Sequence, residues 1–299
     1  VEVVLAQVRV WCALVKETLM PELHTLLTGR GLVESPRWHD GRLWFADWST
    51  HEIIAVDQTG TSEIIALVPS APCCFDWLPD GRLLIVSGRE GQLLRREADG
   101  SLVTHADLTT LAAPPWNDIV VDGRGNAYIG CTGFDFPGGT FAPGLLALVT
   151  PDGTVRQVAD GVAFPNGVAV TRDNATLLLA ESYANCLTAF DIGADGSLAN
   201  RRVWAPLEGF PDGICLDTEG AVWYGDVPNQ CCVRVREGGE VLQRLALDRG
   251  CFACVLGGTE RRTLFLLAAA WGGAESLGDG HRTGRVLKVE VPVAGAGWP

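Results

Sequence analysis

Methionine occurs once, as Met20, and histidine five times in 299 residues. Basic residues are also scarce: 23 Lys and Arg stand against 36 Asp and Glu, a formal net charge of −13. Nucleic acid and anionic membrane surfaces reward Lys and Arg, so both are poor partners for this chain, and a cation is a better one. Long hydrophobic runs are missing too. The longest, near Leu264 to Trp271, is about half of the ~20 residues a membrane helix needs. No G-x-S-x-G, H-E-x-x-H or phosphate-loop motif is found, which removes the serine-hydrolase, zinc-protease and nucleotide-binding readings at the motif level.

The first nineteen residues carry Glu2, Arg9 and Lys16 inside an apolar stretch, which is not the charged-then-apolar layout of a secretory leader. A reducing cytoplasm is then the expected compartment, and the ten cysteines are expected as buried small apolar residues. Cys73-Cys74 and Cys231-Cys232 are adjacent pairs, whose side chains point to opposite faces of a strand. Cys251 and Cys254 form one C-x-x-C without the second pair a zinc site wants.

What the chain has in quantity is short alternating runs closed by Asp-Gly, Asn-Gly or Gly-Gly turns, such as "HDGRLWFAD", "PDGRLLIVS" and "DTEGAVWYG". Period-two alternation with such turns reads as antiparallel strands. Six copies align, opening at Glu34, Cys74, Asn117, Asn166, Asp212 and Cys251. Their spacing of roughly 40 to 50 residues is that of a four-stranded propeller blade. The expected fold is all-β: a six-bladed β-propeller with four-stranded blades over residues 20–299. The ring would close by pairing "ELHTLLTG" with "GRVLKVEV" in one blade.

In such a ring each copy's opening residue lies where the innermost strand begins, at one mouth of the channel. Glu34, Asn117, Asn166 and Asp212 would bring two carboxylates and two amide oxygens together there. Asn and Asp before Gly are also ordinary turn residues. Four oxygen donors at equivalent ring positions nevertheless point to a shared ligand. Carboxylates converging in an apolar ring repel, and a divalent cation removes the conflict. Calcium is expected before zinc, manganese or magnesium. Trp48, Tyr183, Trp271 and the Gly- and Phe-rich loop from Cys131 to Gly144 would surround that point. None of the five histidines takes an opening position, which argues against a His-based catalytic dyad.

The motifs "ESPRW", "WND", "FPNGVAV", "PDGICLD" and "GCFACVLGG" resemble those of the senescence marker protein/gluconolactonase family, the regucalcin-like lactonases, from about Met20 to the C-terminus. The resemblance implies a divalent metal held by Glu34, Asn166 and Asp212. Asn117 would contact substrate or a water, and Asp212 would serve as acid/base. Trp116, Phe134, Trp48 and Tyr183 are the further substrate contacts expected. Members acting on sugar lactones often carry Arg two residues before the Asn of "WND"; here that position is Pro115. The expected activity is hydrolysis of a lactone or related ester, sugar-like or less polar. A phosphotriesterase or strictosidine-synthase-like enzyme, or a non-enzymatic calcium-binding propeller, are the alternatives. The expected protein is a monomer or small homo-oligomer with a small-molecule substrate.

Residues 1–19 are expected to lie outside the domain as an upstream extension. Deleting them should leave the melting temperature and turnover unchanged; a large fall in either would place them inside the fold.

Overall fold

The computed structural model describes residues 22–272 and 281–297, so the extension expected at 1–19 lies outside the described residues. Twenty-four strands, β1 to β24 in chain order, form six antiparallel four-stranded sheets. Among the described residues the one helical element is a 3-10 turn at Leu108–Thr110, and no helix is long and apolar enough to cross a membrane. The sheets are the blades of a six-bladed β-propeller, as the repeat spacing requires.

The hairpins form where acidic side chains can close them. Asp122 Oδ1 accepts from the backbone N–H of Arg124 at 2.8 Å and of Asn126 at 2.9 Å. Asp217 Oδ1 takes Glu219 at 2.9 Å and Ala221 at 3.0 Å in the equivalent turn two blades on. Such self-capping supplies the partners a tight turn would otherwise lack, and it explains the recurrent Asp before Gly. The Asp217 carboxylate, fully buried, is further paired with Arg234 at 2.7 Å.

One blade is assembled from both ends of the described chain. Strand β1 (His24–Arg30) pairs antiparallel with β24 (Gly284–Glu290), with His24 opposite Lys288 and Thr25 opposite Leu287. The sheet order β1-β24-β23-β22 closes the ring in the way expected from the sequence. Each seam between neighbouring blades is filled by its own apolar cluster, so the core is radial rather than central. The nine described cysteines are all free and buried, several in these seams, consistent with their reading as small apolar residues.

The innermost strands are β2 (Val33–His39), β6 (Phe75–Trp77), β10 (Trp116–Val121), β14 (Pro165–Val170), β18 (Pro211–Leu216) and β22 (Gly250–Gly257). They pack against one another around the axis, and space there is short. A Cβ on Gly167 would meet Asp212 O at 2.5 Å; one on Gly213 would meet Ala253 Cβ at 2.4 Å. Glycine therefore follows Asn166 and Asp212 because the next blade's backbone is already there, in addition to any turn preference.

Replacing Gly213 with Ala should cost about 1–3 kcal/mol, since Ala253 belongs to a packed strand that cannot yield cheaply. The shift in the urea midpoint measures this, and an unchanged midpoint would show that the strands are less crowded than described.

Candidate active site at the channel mouth

Five of the six innermost strands break their ladder with a register shift at or beside the opening residue. In β10 the pairing passes from Trp116 with Cys131 to Ile119 with Ile129, so Asn117 and Asp118 oppose Gly130 alone. The same happens at Asn166-Gly167, between Pro165 and Val168, and at Asp212-Gly213, between Pro211 and Ile214. Shifts follow Glu34 in β2 and Cys251 in β22. A bulge re-aims side chains locally, and repeated around a ring it can turn them to one mouth. Ser35, immediately after Glu34, accordingly sits at φ 50°, a left-handed conformation uncommon for a non-glycine residue.

Glu34, Asn117, Asn166 and Asp212 line one cavity of about 430 Å³. Cys74 and Cys251, at the equivalent positions of the other two blades, are buried in seams instead. Trp48 and Tyr183 line the cavity, as does Trp271. Two expected substrate contacts, Trp116 and Phe134, do not line this cavity. Trp116 is fully buried in the seam with Leu108, Ile119 and Cys131, because neighbours on a strand face opposite ways and Asn117 takes the channel side. Phe134 stands behind the wall, 5.7 Å from the Phe164 ring and 6.0 Å from Tyr183, while Phe136 of the same loop reaches the cavity.

Several lining residues escaped the sequence reading: Leu32, Pro72, Phe164 and Phe210, along with Phe252. A signal for the first four existed. Each lies two positions before an opening residue, as Pro115 does, so the same alignment moved back by two would have found them. Among the described residues no Lys, Arg or His lines this cavity.

The polar groups are held from behind. Glu34 Oε2 accepts from Ser35 N–H at 2.8 Å. Asn117 Nδ2 donates to Pro165 O at 3.4 Å, and Asn166 Nδ2 to Ser182 Oγ at 3.2 Å, whose own hydroxyl donates to Pro211 O at 2.7 Å. Burial pushes the Glu34 carboxyl up to about 8, against the pull of the Ser35 N–H. Asp212 is held well above the usual carboxylate range, first by burial and then by the negative charge of Glu34 and Asp118. Its Oδ1 is buried with no hydrogen-bond partner. Among the described residues no three His, Cys, Asp or Glu side chains cluster for a metal; the donors here are two carboxyls and two amides.

Beneath the cavity lies a charged floor that the sequence reading did not find. Arg37, buried, donates from Nη2 to Ile119 O at 2.5 Å and to Asp118 Oδ1 at 3.3 Å. The other Asp118 oxygen accepts from Val168 N–H at 3.2 Å, and Asp76 Oδ2 from Val121 N–H at 2.7 Å. These contacts tie four innermost strands together across the axis. Asp118 also adds its negative charge to the environment of both Glu34 and Asp212.

Fold and cavity together define a propeller with an acidic, amide-bearing pocket at one mouth of its channel. The chain belongs to the SMP-30/gluconolactonase/LRE-like family, whose model matches residues 32–270. It is 27% identical over 278 residues to a pentonolactonase of Haloferax volcanii, covering 88% of this chain and 92% of that one. It is 28% identical over 279 residues to regucalcin of Gallus gallus, covering 86% and 90%. Among solved structures, a luciferin-regenerating enzyme superposes with a TM-score of 0.79 at 20% identity, covering 92% of this chain and 98% of the other. At 20–21% identity such neighbours bear on the fold alone, which a gluconolactonase of Xanthomonas campestris also shares, with a TM-score of 0.72 over 91% and 90% of the two chains at 21% identity.

Arg37→Ala should destabilise the protein by about 3–5 kcal/mol, because Asp118 would remain buried without its cation. Chemical denaturation checks this; a loss below about 1 kcal/mol would mean that the floor is wet or readily rearranged.

Proposed function

We propose that this protein is a divalent-cation-dependent hydrolase of lactones or related esters, acting at the cavity lined by Glu34, Asn117, Asn166 and Asp212. The observation that carries this is the convergence of the buried Glu34 and partly buried Asp212 carboxyls with two amides in a mostly apolar pocket, in a chain whose relatives include a named pentonolactonase. The residues fit a hard cation. Asp212 Oδ1 has no partner, both carboxyls are held above their ordinary range, and the amide nitrogens of Asn117 and Asn166 are engaged elsewhere, leaving their carbonyl oxygens as acceptors. Glu34, Asn166 and Asp212 would hold it; calcium suits carboxylate and amide oxygens, and a regucalcin of the same fold is titled a calcium-binding protein.

A cation bound there supplies Lewis-acid polarisation of the scissile carbonyl and stabilises the negative charge that develops on its oxygen. Asn117 orients the ring or the attacking water. Asp212 takes the proton from that water as it adds to the carbonyl carbon, then returns it to the leaving alkoxide as the ring opens. Phe136, Phe164, Tyr183 and Phe210 give the pocket an apolar wall against which the substrate ring can rest. Pro115 lines the cavity where sugar-lactone relatives often carry Arg, and no cationic side chain replaces it among the described residues. The substrate favoured by this wall is less polar than an unprotected sugar lactone.

Chelator-stripped protein, with single divalent ions added back, should recover hydrolysis of lactones ahead of phosphotriesters. Asp212→Asn should lower kcat by about 10²–10⁴-fold, while calorimetry still detects the cation. Wild-type turnover in that variant, or activity indifferent to the chelator, would overturn the assignment.

A further inference from the structure

The pocket above does not end at its apolar wall. A second chamber of about 530 Å³ adjoins it, and the two share Leu32, Trp48, Pro72, Phe136 and Trp271 as common lining. Cavities for drug-sized ligands run from ~300 to ~1,000 Å³. Each chamber alone falls in that range, so a bare lactone ring leaves most of the combined space unfilled. We propose that the second chamber receives an apolar alkyl or aryl substituent of the substrate, so that the lactone this enzyme opens is a tailed one; this rests on the lactonase reading given above.

The lining supports an apolar occupant. Where the second chamber departs from the first, its walls include Gly31, Ala71, Ala269 and Ala270, small residues that leave room without offering side-chain donors. Ser49, His51, Arg89, His281 and Thr283 supply the polar part of the lining, and several of them are engaged with the protein. Ser49 Oγ accepts from Leu32 N–H at 3.0 Å, and Thr283 Oγ1 accepts from Ala270 N–H at 3.1 Å. Arg89 is paired with Asp135 and donates to Phe136 O at 2.6 Å, so its guanidinium pins the long loop that carries Phe136. The direction of the substrate follows. Its carbonyl belongs beside Asn117 and Asp212, and a substituent leaving the ring toward the open side passes along Trp48 and Trp271. Both aromatic side chains are shared by the two chambers and give that tail a surface to lie on.

The test is a homologous series of lactones, from the unsubstituted ring to long alkyl tails, with an aryl-substituted member, assayed on the cation-loaded protein. Each methylene taken from water into the chamber should raise kcat/KM by about fourfold until the space is full. Ala270 is exposed and lines only the second chamber, so Ala270→Phe should fill it without touching the first. That variant should flatten the series while keeping kcat/KM for the unsubstituted ring within twofold of wild type. Ala270→Leu, a smaller plug, should shorten the series by a few carbons, and it carries the test if the Phe variant melts early. A wild-type series with no dependence on tail length, or a plug that lowers short and long substrates alike, would overturn the second chamber and leave the lactonase reading standing. No turnover of any lactone would remove both.

Discussion

Everything in this molecule depends on the convergence of six innermost strands on one axis. Strands that meet this closely leave no room for a Cβ at Gly167 or Gly213, so backbone approaches backbone. The same crowding coincides with the bulges at Asn117-Asp118, Asn166-Gly167 and Asp212-Gly213, where two residues stand against one. In the blades that open at Asn117, Asn166 and Asp212 the bulge gives one side chain that leaves the sheet's alternation and turns to the mouth. Construction of the ring and construction of the site are thus a single geometric event.

That arrangement places Glu34 and Asp212 where carboxylates are expensive. Burial and like charge raise both, and the floor beneath them adds Asp118. Arg37 balances part of this charge while joining β2 to β10, and Asp118 in turn reaches β14 through Val168 N–H. The floor is therefore both a clamp on the ring and a source of field at the mouth. A buried acidic pocket under apolar walls is poorly satisfied by protein alone, which is the physical reason to look for a cation there.

Much of this was legible along the chain. The copies starting at Glu34 and Asp212 share a turn, an alternating run and a hairpin closed by Asp, and local chemistry of that kind survives in any tertiary context. Ring closure was legible too, since "ELHTLLTG" lacked partners until "GRVLKVEV" supplied them. The site was legible only in part. Trp116 lies outside the cavity lining because proximity in sequence to Asn117 means the opposite face on a strand. Phe134 lies outside the lining because a long loop decides which of its aromatic rings reach inward, and Phe136 does so here. Arg37 was not singled out within "ESPRW", because its partners Asp118 and Ile119 lie two blades away.

By itself, then, the order of residues determined the blade count, the closing pair of strands and the set of oxygen donors at equivalent turns. These follow from local periodicity and from counting copies. Only the tertiary structure decided which equivalent positions open into the cavity, which aromatic rings form its wall, and that a second chamber lies beside it. Those outcomes depend on angles accumulated around a closed ring and on packing between segments distant along the chain, where no local rule reaches.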